Sequence, residues 1–245
     1  MLNAIVKSLP LSLLLFTQAI APLSASAAPA PAPPQLLAQA FKAPLGAAVP
    51  DRRRTPPPRA SGDCSVGEIK LASLLPSEEF GMPLTGDATP SFYVYLPEVN
   101  ADYLEFSVFK GRKSIYKTKF AVPNAAGIVG ITLPADVTLE AGTTSAGKPI
   151  AYQWYFNVVC DGGDRSNDLK TNGWVHRLAD TDTSEQSATE LAEVGIWYDA
   201  LEAAYGEGQD AADNLLEPVG LTDFVEVELL PELESFDPDT AAVPE

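Results

Sequence analysis

The segment from Ile150 to Arg177 constrains the fold more than any other part of the chain, because its pattern assigns side chains to the two faces of a strand. Large apolar side chains alternate with more polar ones along its first half, as expected of a half-buried strand. A polar loop over residues 161–172 follows, and the chain then returns as a short strand. The residues predicted to face the core together are Tyr152, Trp154, Phe156, Val158 and Cys160.

Most of the chain between residues 63 and 180 has the same β character. Its candidate strands are short, are bounded by Pro, Gly, Asn or Asp, and have no helical segment between them, which favours antiparallel pairing. We therefore predict a mainly β fold with an α appendage, in which residues 63–180 form an immunoglobulin-like antiparallel β-sandwich. The predicted strands are Glu68–Ser73, Phe92–Leu96, Leu104–Lys110, Ile115–Ala121, Gly127–Leu133, Ile150–Cys160 and Trp174–Leu178.

Residues 181–230 change to the spacing of an amphipathic helix. Thr183 and Ser184 are candidate N-caps, and two glycines separate a first helix from a second one over about 209–216. We predict that these helices form a hairpin packed on the sandwich, with Trp197 at the margin of the contact. The predicted contact stripe consists of Ala188, Leu191, Val194, Tyr198, Leu201 and Tyr205.

The first residues of the chain have the pattern of an export signal. A single basic residue, Lys7, precedes the apolar run Leu9–Ile20, and Ala25-Ser26-Ala27 fits a signal-peptidase site. We expect residues 1–27 to be a signal peptide and residues 28–62, which are rich in Pro and Ala, to be a disordered linker. The mature protein would then be periplasmic or secreted and would lack a transmembrane segment, whereas an uncleaved anchor is the alternative.

The two cysteines, Cys64 and Cys160, both follow the predicted signal peptide. In an oxidising compartment they are expected to form a disulfide that ties the start of the ordered region to its main strand. Two free, buried thiols are the alternative. Two cysteines and one histidine are too few ligands for a structural zinc site.

Charge is distributed very unevenly along the chain. All 16 basic residues precede residue 178, whereas the segment 178–245 contains 19 of the 33 acidic residues. Such an acidic segment repels nucleic-acid phosphates and anionic membranes, so we expect neither as a partner. The run Phe224–Leu230 is either an edge strand or the beginning of a tail, and residues 231–245 are predicted to be a disordered acidic tail.

Only one histidine is present, His176, and the case for catalysis depends on it. A catalytic triad would need it to meet the hydroxyl of Ser166 and a carboxylate from Asp161 or Asp164. The protein would then be an envelope hydrolase that uses the loop Asp161–Ser166. No nucleophile-elbow sequence is present, and a histidine on the partly exposed face of a short strand is the simpler interpretation. We predict no catalytic residue and no cofactor.

The same region contains residue types that bind ligands in other proteins. Asp161, Asp164 and Asp168 could supply oxygen ligands to calcium, but their spacing is not that of an EF-hand, and solvated acids in a turn-rich loop are the simpler interpretation. Arg165 is either a clamp within this loop or a site for an anionic group. Aromatic residues such as Trp174 either seat the helices on the sandwich or offer a platform for carbohydrate.

A strip of basic residues lies on the predicted hairpin between residues 104 and 121. Three interpretations are open: the strip binds an acidic polysaccharide, it binds the protein's own acidic tail, or its lysines protect an edge strand. The last of these is the simplest. The members of the strip are Lys110, Arg112, Lys113, Lys117 and Lys119.

Several motifs, in order along the chain, resemble a family found mainly in cyanobacteria and catalogued as domain of unknown function 928. Cys64 precedes GIVGITLP at Gly127–Pro134, YQWYFNVVCD at Tyr152–Asp161, GWVHR at Gly173–Arg177 and GIWYDAL at Gly195–Leu201. The resemblance covers nearly the whole predicted ordered part. It implies an exported protein, and it carries no established activity, cofactor or catalytic residue.

We therefore predict a non-catalytic binding or interaction module whose partner is another protein of the periplasm or cell surface. The alternatives are the envelope hydrolase described above and a carbohydrate- or calcium-binding surface module. The predicted interaction surface consists of Arg165, Trp174, His176 and Trp197.

Overall fold

The computed structural model describes residues 64–66, 68–77 and 81–236 of the chain. The predicted signal peptide and linker lie outside these residues, and so do residues 237–245 at the end of the predicted tail. The described fold contains eight strands and three α-helices, which confirms the prediction of a mainly β protein with a helical appendage. None of the helices in this part of the chain has the length and apolarity needed to span a membrane.

The strands form two sheets that pack in a sandwich-like arrangement. They are β1 Ala72–Ser73, β2 Leu84–Thr85, β3 Ser91–Leu96, β4 Tyr103–Lys110, β5 Lys113–Phe120, β6 Gly127–Thr132, β7 Ala151–Val159 and β8 Leu169–Arg177. One sheet has the strand order β1-β3-β6 and the other has the order β2-β8-β7-β4-β5. All neighbouring strands are antiparallel except β2 and β8, which are parallel.

The predicted strand boundaries agree with the structure within two residues for β3 to β7. Three differences remain. Strand β1 covers only the last two residues of the predicted Glu68–Ser73, and β8 begins at Leu169 rather than at Trp174. Strand β2, which pairs with the far end of β8, was not predicted.

Side chains from both sheets form an apolar core between them. The alternating face predicted for β7 is confirmed from Tyr152 to Val158, whose four members are buried there. At the end of the strand the alternation stops, because Val159 is buried and Cys160 is half-buried. The ring of Phe92 on β3 lies 5.5 Å from that of Trp154 on β7, measured between centroids, so aromatic contacts join the two sheets.

The helices cover the other face of the three-stranded sheet and create a second apolar core. Tyr93, Tyr95 and Ile128 of this sheet share that core with Trp197 and Leu201 of the helices. The three-stranded sheet is therefore the middle of three layers. This position explains why all six residues of β3 are buried instead of alternating between core and solvent.

The helical layer has three helices where the sequence predicts two. They are α1 (Ala188–Glu193), α2 (Trp197–Glu207) and α3 (Gln209–Leu216). The predicted first helix is interrupted at Gly195, whose φ of 81° lies in the left-handed region that favours glycine. Because of this break, Val194 is 54% exposed and does not belong to the predicted contact stripe.

Helix α1 begins later than predicted, because its N-cap is Ser187 and not Thr183 or Ser184. The Ser187 hydroxyl accepts a hydrogen bond from the Glu190 backbone N–H, and the Glu190 carboxylate accepts one from the Ser187 backbone N–H. This reciprocal pair is a capping box. Thr183 instead donates its hydroxyl to the buried carboxylate of Asp199 on α2, at 2.7 Å.

A buried tyrosine of α2 links the helical layer to the five-stranded sheet. The Tyr198 hydroxyl accepts a hydrogen bond from the indole Nε1 of Trp154 at 2.7 Å and donates one to the carbonyl oxygen of Trp174 at 2.9 Å. Its ring packs edge-on against Phe92, with centroids 5.3 Å apart. Since Trp154 lies on β7 and Trp174 on β8, one side chain fastens the helices to two adjacent strands of the far sheet.

After α3 the chain runs along the edge strands of both sheets as a segment, Val225–Phe236, that we call the C-terminal strap. It pairs first with β6 of the three-stranded sheet, where Leu229 forms a parallel bridge with Ile128. It then pairs with β5 of the five-stranded sheet, where Ser235 forms an antiparallel bridge with Phe120. The run Phe224–Leu230 thus contributes one bridge and no regular edge strand.

The second half of the strap is packed, so the prediction of disorder is wrong for residues 231–236. Leu233 is buried in the core between the sheets, and the Phe236 ring stacks on Tyr103 with centroids 5.2 Å apart. Gly127 at the start of β6 provides room for the strap, because a Cβ there would come within 2.7 Å of the Leu230 side chain.

The two cysteines form the predicted disulfide, with Cα atoms of Cys64 and Cys160 5.6 Å apart. It connects the first described residues to the end of β7 across a sequence separation of 96 residues. In the chain-entropy model a loop of this length corresponds to about 4–5 kcal/mol of stabilisation.

We expect Tyr198→Phe to lower the free energy of unfolding by about 1–3 kcal/mol, because it leaves the buried Trp154 N–H without a partner. Tyr155→Phe, which removes a hydroxyl from a half-exposed tyrosine, is the matched control and should cost less than about 0.5 kcal/mol. Denaturant unfolding of both variants with the disulfide intact measures the difference. Equal stability of the two variants would show that the Tyr198 hydroxyl does not hold the layers together.

We expect truncation after Leu230 to lower the thermal midpoint by about 5–15 °C relative to truncation after Phe236, because it removes the buried Leu233 and the pairing with β5. Thermal unfolding of the two truncated chains measures this. Coincident midpoints would mean that residues 231–236 contribute nothing to stability.

Candidate functional site

One side of the five-stranded sheet faces away from the other two layers. Along β7, the residues on this side are half-buried from Ala151 to Asn157, and Val159 at the end of the strand is buried. The strand register places side chains from four strands next to one another on this side, which we call the outer face. It carries amides, hydroxyls, aromatic rings and lysines. Its members are Glu105, Ser107, Phe109, Lys117, Lys119, Gln153, Tyr155, Asn157, Lys170, Asn172 and Trp174.

A shallow depression of about 460 Å³ lies on the outer face, next to the β4–β5 turn. The amides of Gln153 and Asn157 and the hydroxyl of Ser107 line it and provide hydrogen-bonding groups. Phe109 and Tyr155 provide its aromatic surface, with ring centroids 5.8 Å apart and planes at 86°. Sites built on strands hold such groups more precisely than sites built on loops.

The hydroxyl of Tyr155 is a hydrogen-bonding group that stays protonated at neutral pH. Partial burial raises the pKa of Tyr155, although its hydrogen bond with Gln153 opposes that effect. The pair therefore presents a neutral hydroxyl beside a neutral amide, both of which can donate and accept hydrogen bonds.

One carboxylate, that of Glu105, lies on the outer face and is neutralised by its neighbours. The Lys117 ammonium is 2.9 Å from one of its oxygens, and the Arg165 guanidinium is 3.7 Å from the other. Burial alone would raise the pKa of Glu105, but the hydrogen bond and charge of Lys117, with the charges of Arg165 and Lys119, outweigh burial and lower it. Glu105 is thus ionised and paired at neutral pH.

Other cations of the outer face are not paired with acids among the described residues. Lys170 on β8 and Arg112 at the β4–β5 turn are exposed, and Lys119 sits over the Tyr103 ring at 4.0 Å from its centroid. Since the Glu105 charge is compensated, the outer face is positive although the chain as a whole carries a net charge of −17.

The hydrolase alternative fails on geometry, because its residues lie at opposite ends of β8. The loop that contains Ser166 precedes Leu169, whereas His176 is seven residues further along the strand, roughly 23 Å away at about 3.3 Å per residue. His176 is also buried, and its Nδ1 is 3.0 Å from the carbonyl oxygen of Ile150. The prediction that it lies on a partly exposed face is therefore wrong.

The acidic loop after β7 uses its carboxylates to stabilise itself. Asp161 accepts a hydrogen bond from the Gly163 backbone N–H, Asp164 caps a single 3₁₀ turn over Arg165–Asn167, and Asp168 is ion-paired with Arg165. In the part of the chain that the structure describes, no group of three or more acids, histidines or cysteines is arranged to hold a metal ion. The carboxylates of Asp161, Asp164 and Asp168 are thus engaged in contacts within the loop itself.

The four residues predicted to form an interaction surface do not lie together. Trp174 lies on the outer face beside Gln153, and Arg165 contacts that face through Glu105. Trp197 and His176, in contrast, are 0% and 6% exposed, so neither contributes to a surface. The prediction that Trp197 lies at the margin of the helical contact is wrong, because its indole is fully buried and donates to the Leu74 carbonyl oxygen at 2.8 Å.

The sequence prediction missed the depression, although part of its signal is visible in β7. Alternation identifies Gln153, Tyr155 and Asn157 as one face of that strand. Only the cross-strand register brings Ser107 and Phe109 of β4 beside them. That register is set by tertiary pairing and is not encoded in any single segment.

A second cavity, of about 560 Å³, lies where α2 meets the loop after β2, and its charged groups are used for folding. Both oxygens of Asp199 lie 3.2 Å from the Gly86 backbone N–H. Arg177 donates to the carbonyl oxygens of Gly86 and Leu139. The GWVHR and GIWYDAL motifs thus position this loop and dock the helices.

Comparison with known proteins places the chain in a family. The sequence model of a family described as Domain of Unknown Function (DUF928) matches residues 51–229, and this range contains the motifs from Cys64 to Leu201 on which the resemblance rests. No curated protein matches the chain significantly. Because the family match extends over most of the chain, this protein belongs to the DUF928 family.

Proposed function

We propose that this protein is an exported, non-catalytic binding module and that it binds its ligand on the outer face of the five-stranded sheet. The observation that carries the proposal is the depression on that face, where amides, hydroxyls and aromatic rings from β4 and β7 meet. Groups of this kind recognise a ligand through hydrogen bonds and flat apolar contacts. Nothing in the arrangement pairs a nucleophile with a base, so binding is the role it supports.

The disulfide supports the compartment in this proposal. Disulfides persist mainly in oxidising spaces such as the periplasm or the exterior, and the Cys64–Cys160 bridge closes a long loop of the fold. The apolar run and the small-residue site before Ala28 in the sequence are consistent with export.

Export is tested with the full chain expressed from its own N-terminus in a bacterial host. We expect the protein in the periplasm or medium, with Ala28 as its first residue by mass spectrometry and without titratable thiols after denaturation. A chain that keeps Met1, or that stays in the cytoplasm with two reactive thiols, would contradict this part of the proposal.

Binding is tested by sedimentation of the mature protein with envelope material from its source organism. We expect Tyr155→Ala to weaken retention at least about fivefold, because it removes one of the two aromatic rings that line the depression. Val194→Ala, a substitution at an exposed site on the helical layer, is the control and should bind like the unchanged protein. Retention that is the same for Tyr155→Ala and the unchanged protein would exclude the outer face as the binding site.

A further inference from the structure

We propose that the ligand of the outer face is an acidic polysaccharide, one whose sugar units carry carboxylate or sulfate groups. This inference rests on the proposed function and specifies the chemistry of its ligand. Three properties of the outer face support it: hydrogen-bonding groups, positive charge and, among the described residues, no exposed large aliphatic side chain.

The hydrogen-bonding groups of the depression suit sugar hydroxyls. A hydroxyl both donates and accepts, and so do the neutral amides of Gln153 and Asn157 and the hydroxyls of Ser107 and Tyr155. The rings of Tyr155 and Phe109 add the apolar contact that the C–H groups of a sugar ring require. Neutral polar groups beside aromatic carbon are therefore matched to a saccharide.

The charge of the outer face selects an anionic saccharide. Lys117 and Lys119 on β5 lie at one side of the four-strand surface and Lys170 on β8 at the other, with Arg112 at the rim of the depression. Strands β5 and β8 are three strand spacings apart, a distance of about 14 Å. The register places Lys119 and Lys170 at the two ends of one cross-strand row, whose middle members are Asn157 and the Glu105 carboxylate that Lys117 neutralises. A polymer with regularly repeated acidic groups can pair with both ends at once.

A protein partner fits this surface less well, because a protein interface has an apolar centre. The large apolar side chains that are exposed in the described part of the chain are Val66, Ile69, Val194 and Leu229, and none lies on the outer face. The aromatic residues that do lie there are half-buried among polar neighbours. An acidic protein or peptide is therefore an outcome that the experiment must exclude.

The test is affinity electrophoresis of the mature protein in gels that contain a single polymer each. Polygalacturonate and its methyl ester share a backbone and differ in charge, and dextran sulfate and dextran form a second such pair. Polyglutamate supplies the same carboxylates without sugar. We expect at least one acidic polysaccharide to bind about tenfold more tightly than its neutral counterpart and than polyglutamate, with binding that weakens as salt is raised.

Three variants identify the surface. Lys170→Gln and Arg112→Gln should each weaken binding to the acidic polysaccharide about threefold or more, because each removes one charge-assisted contact. Lys148→Gln, which changes an exposed lysine in the β6–β7 connection, should bind like the unchanged protein. Thermal midpoints of all three variants confirm that they are folded.

The inference is overturned if neither acidic polysaccharide binds, if the neutral counterparts bind as tightly, or if polyglutamate binds as tightly. It is also overturned if Lys148→Gln weakens binding as much as Lys170→Gln. None of these results removes the proposed binding site, which fails if Tyr155→Ala leaves retention by envelope material unchanged. The two proposals can therefore fail separately.

Discussion

The organisation of the described fold depends on the buried hydroxyl of Tyr198, which accepts one hydrogen bond and donates another. It lies on the helical layer, yet it contacts Trp154 and the backbone of β8 in the most distant sheet. Burial raises the pKa of Tyr198, so the group remains a donor at any physiological pH. Gly173 on β8 leaves room for the Trp154 ring, because a Cβ at this position would come within 2.7 Å of that ring. Since β7 and β8 also carry the outer face, the same contact fixes the backbone beneath the proposed site.

Sequence patterns predicted the parts of the fold that local rules determine. The alternation of apolar and polar residues in β7 correctly predicted which of its faces is buried. The presence of two cysteines in a chain with an export pattern correctly predicted the disulfide. The first half of β8 was missed because LKTNG, at Leu169–Gly173, has polar side chains where an apolar alternation would have revealed a strand. Strand β2 is two residues long and forms only by pairing with β8, so no local signal marks it.

Other features depended on how many layers the molecule has, which no single segment reveals. Trp197 and Tyr198 are neighbours in α2, but each is buried in a different core, because the helix end lies where the two cores meet. Helical periodicity, which assigns one buried face, places Trp197 at a margin. The candidate site was missed for the same reason. Alternation assigns Gln153, Tyr155 and Asn157 to one side of β7, but it does not show that this side faces away from the other two layers.

The C-terminal strap limits how the edges of the two sheets can pair with another chain. Strand β6 and strand β5 are the long edges of the two sheets, and the strap forms bridges with both. The opposite edges, β1 and β2, are only two residues long. The strap covers only the end of β5, where its main-chain hydrogen bonds involve Lys119 and Ala121, and Lys113–Thr118 of this edge have no neighbouring strand on that side among the described residues. Strand addition, in which an extended peptide extends a sheet through main-chain hydrogen bonds, therefore has an open stretch there, which Lys113 and Lys117 protect. The strap and the lysines thus protect different parts of the same edge, the first by main-chain pairing and the second by charge.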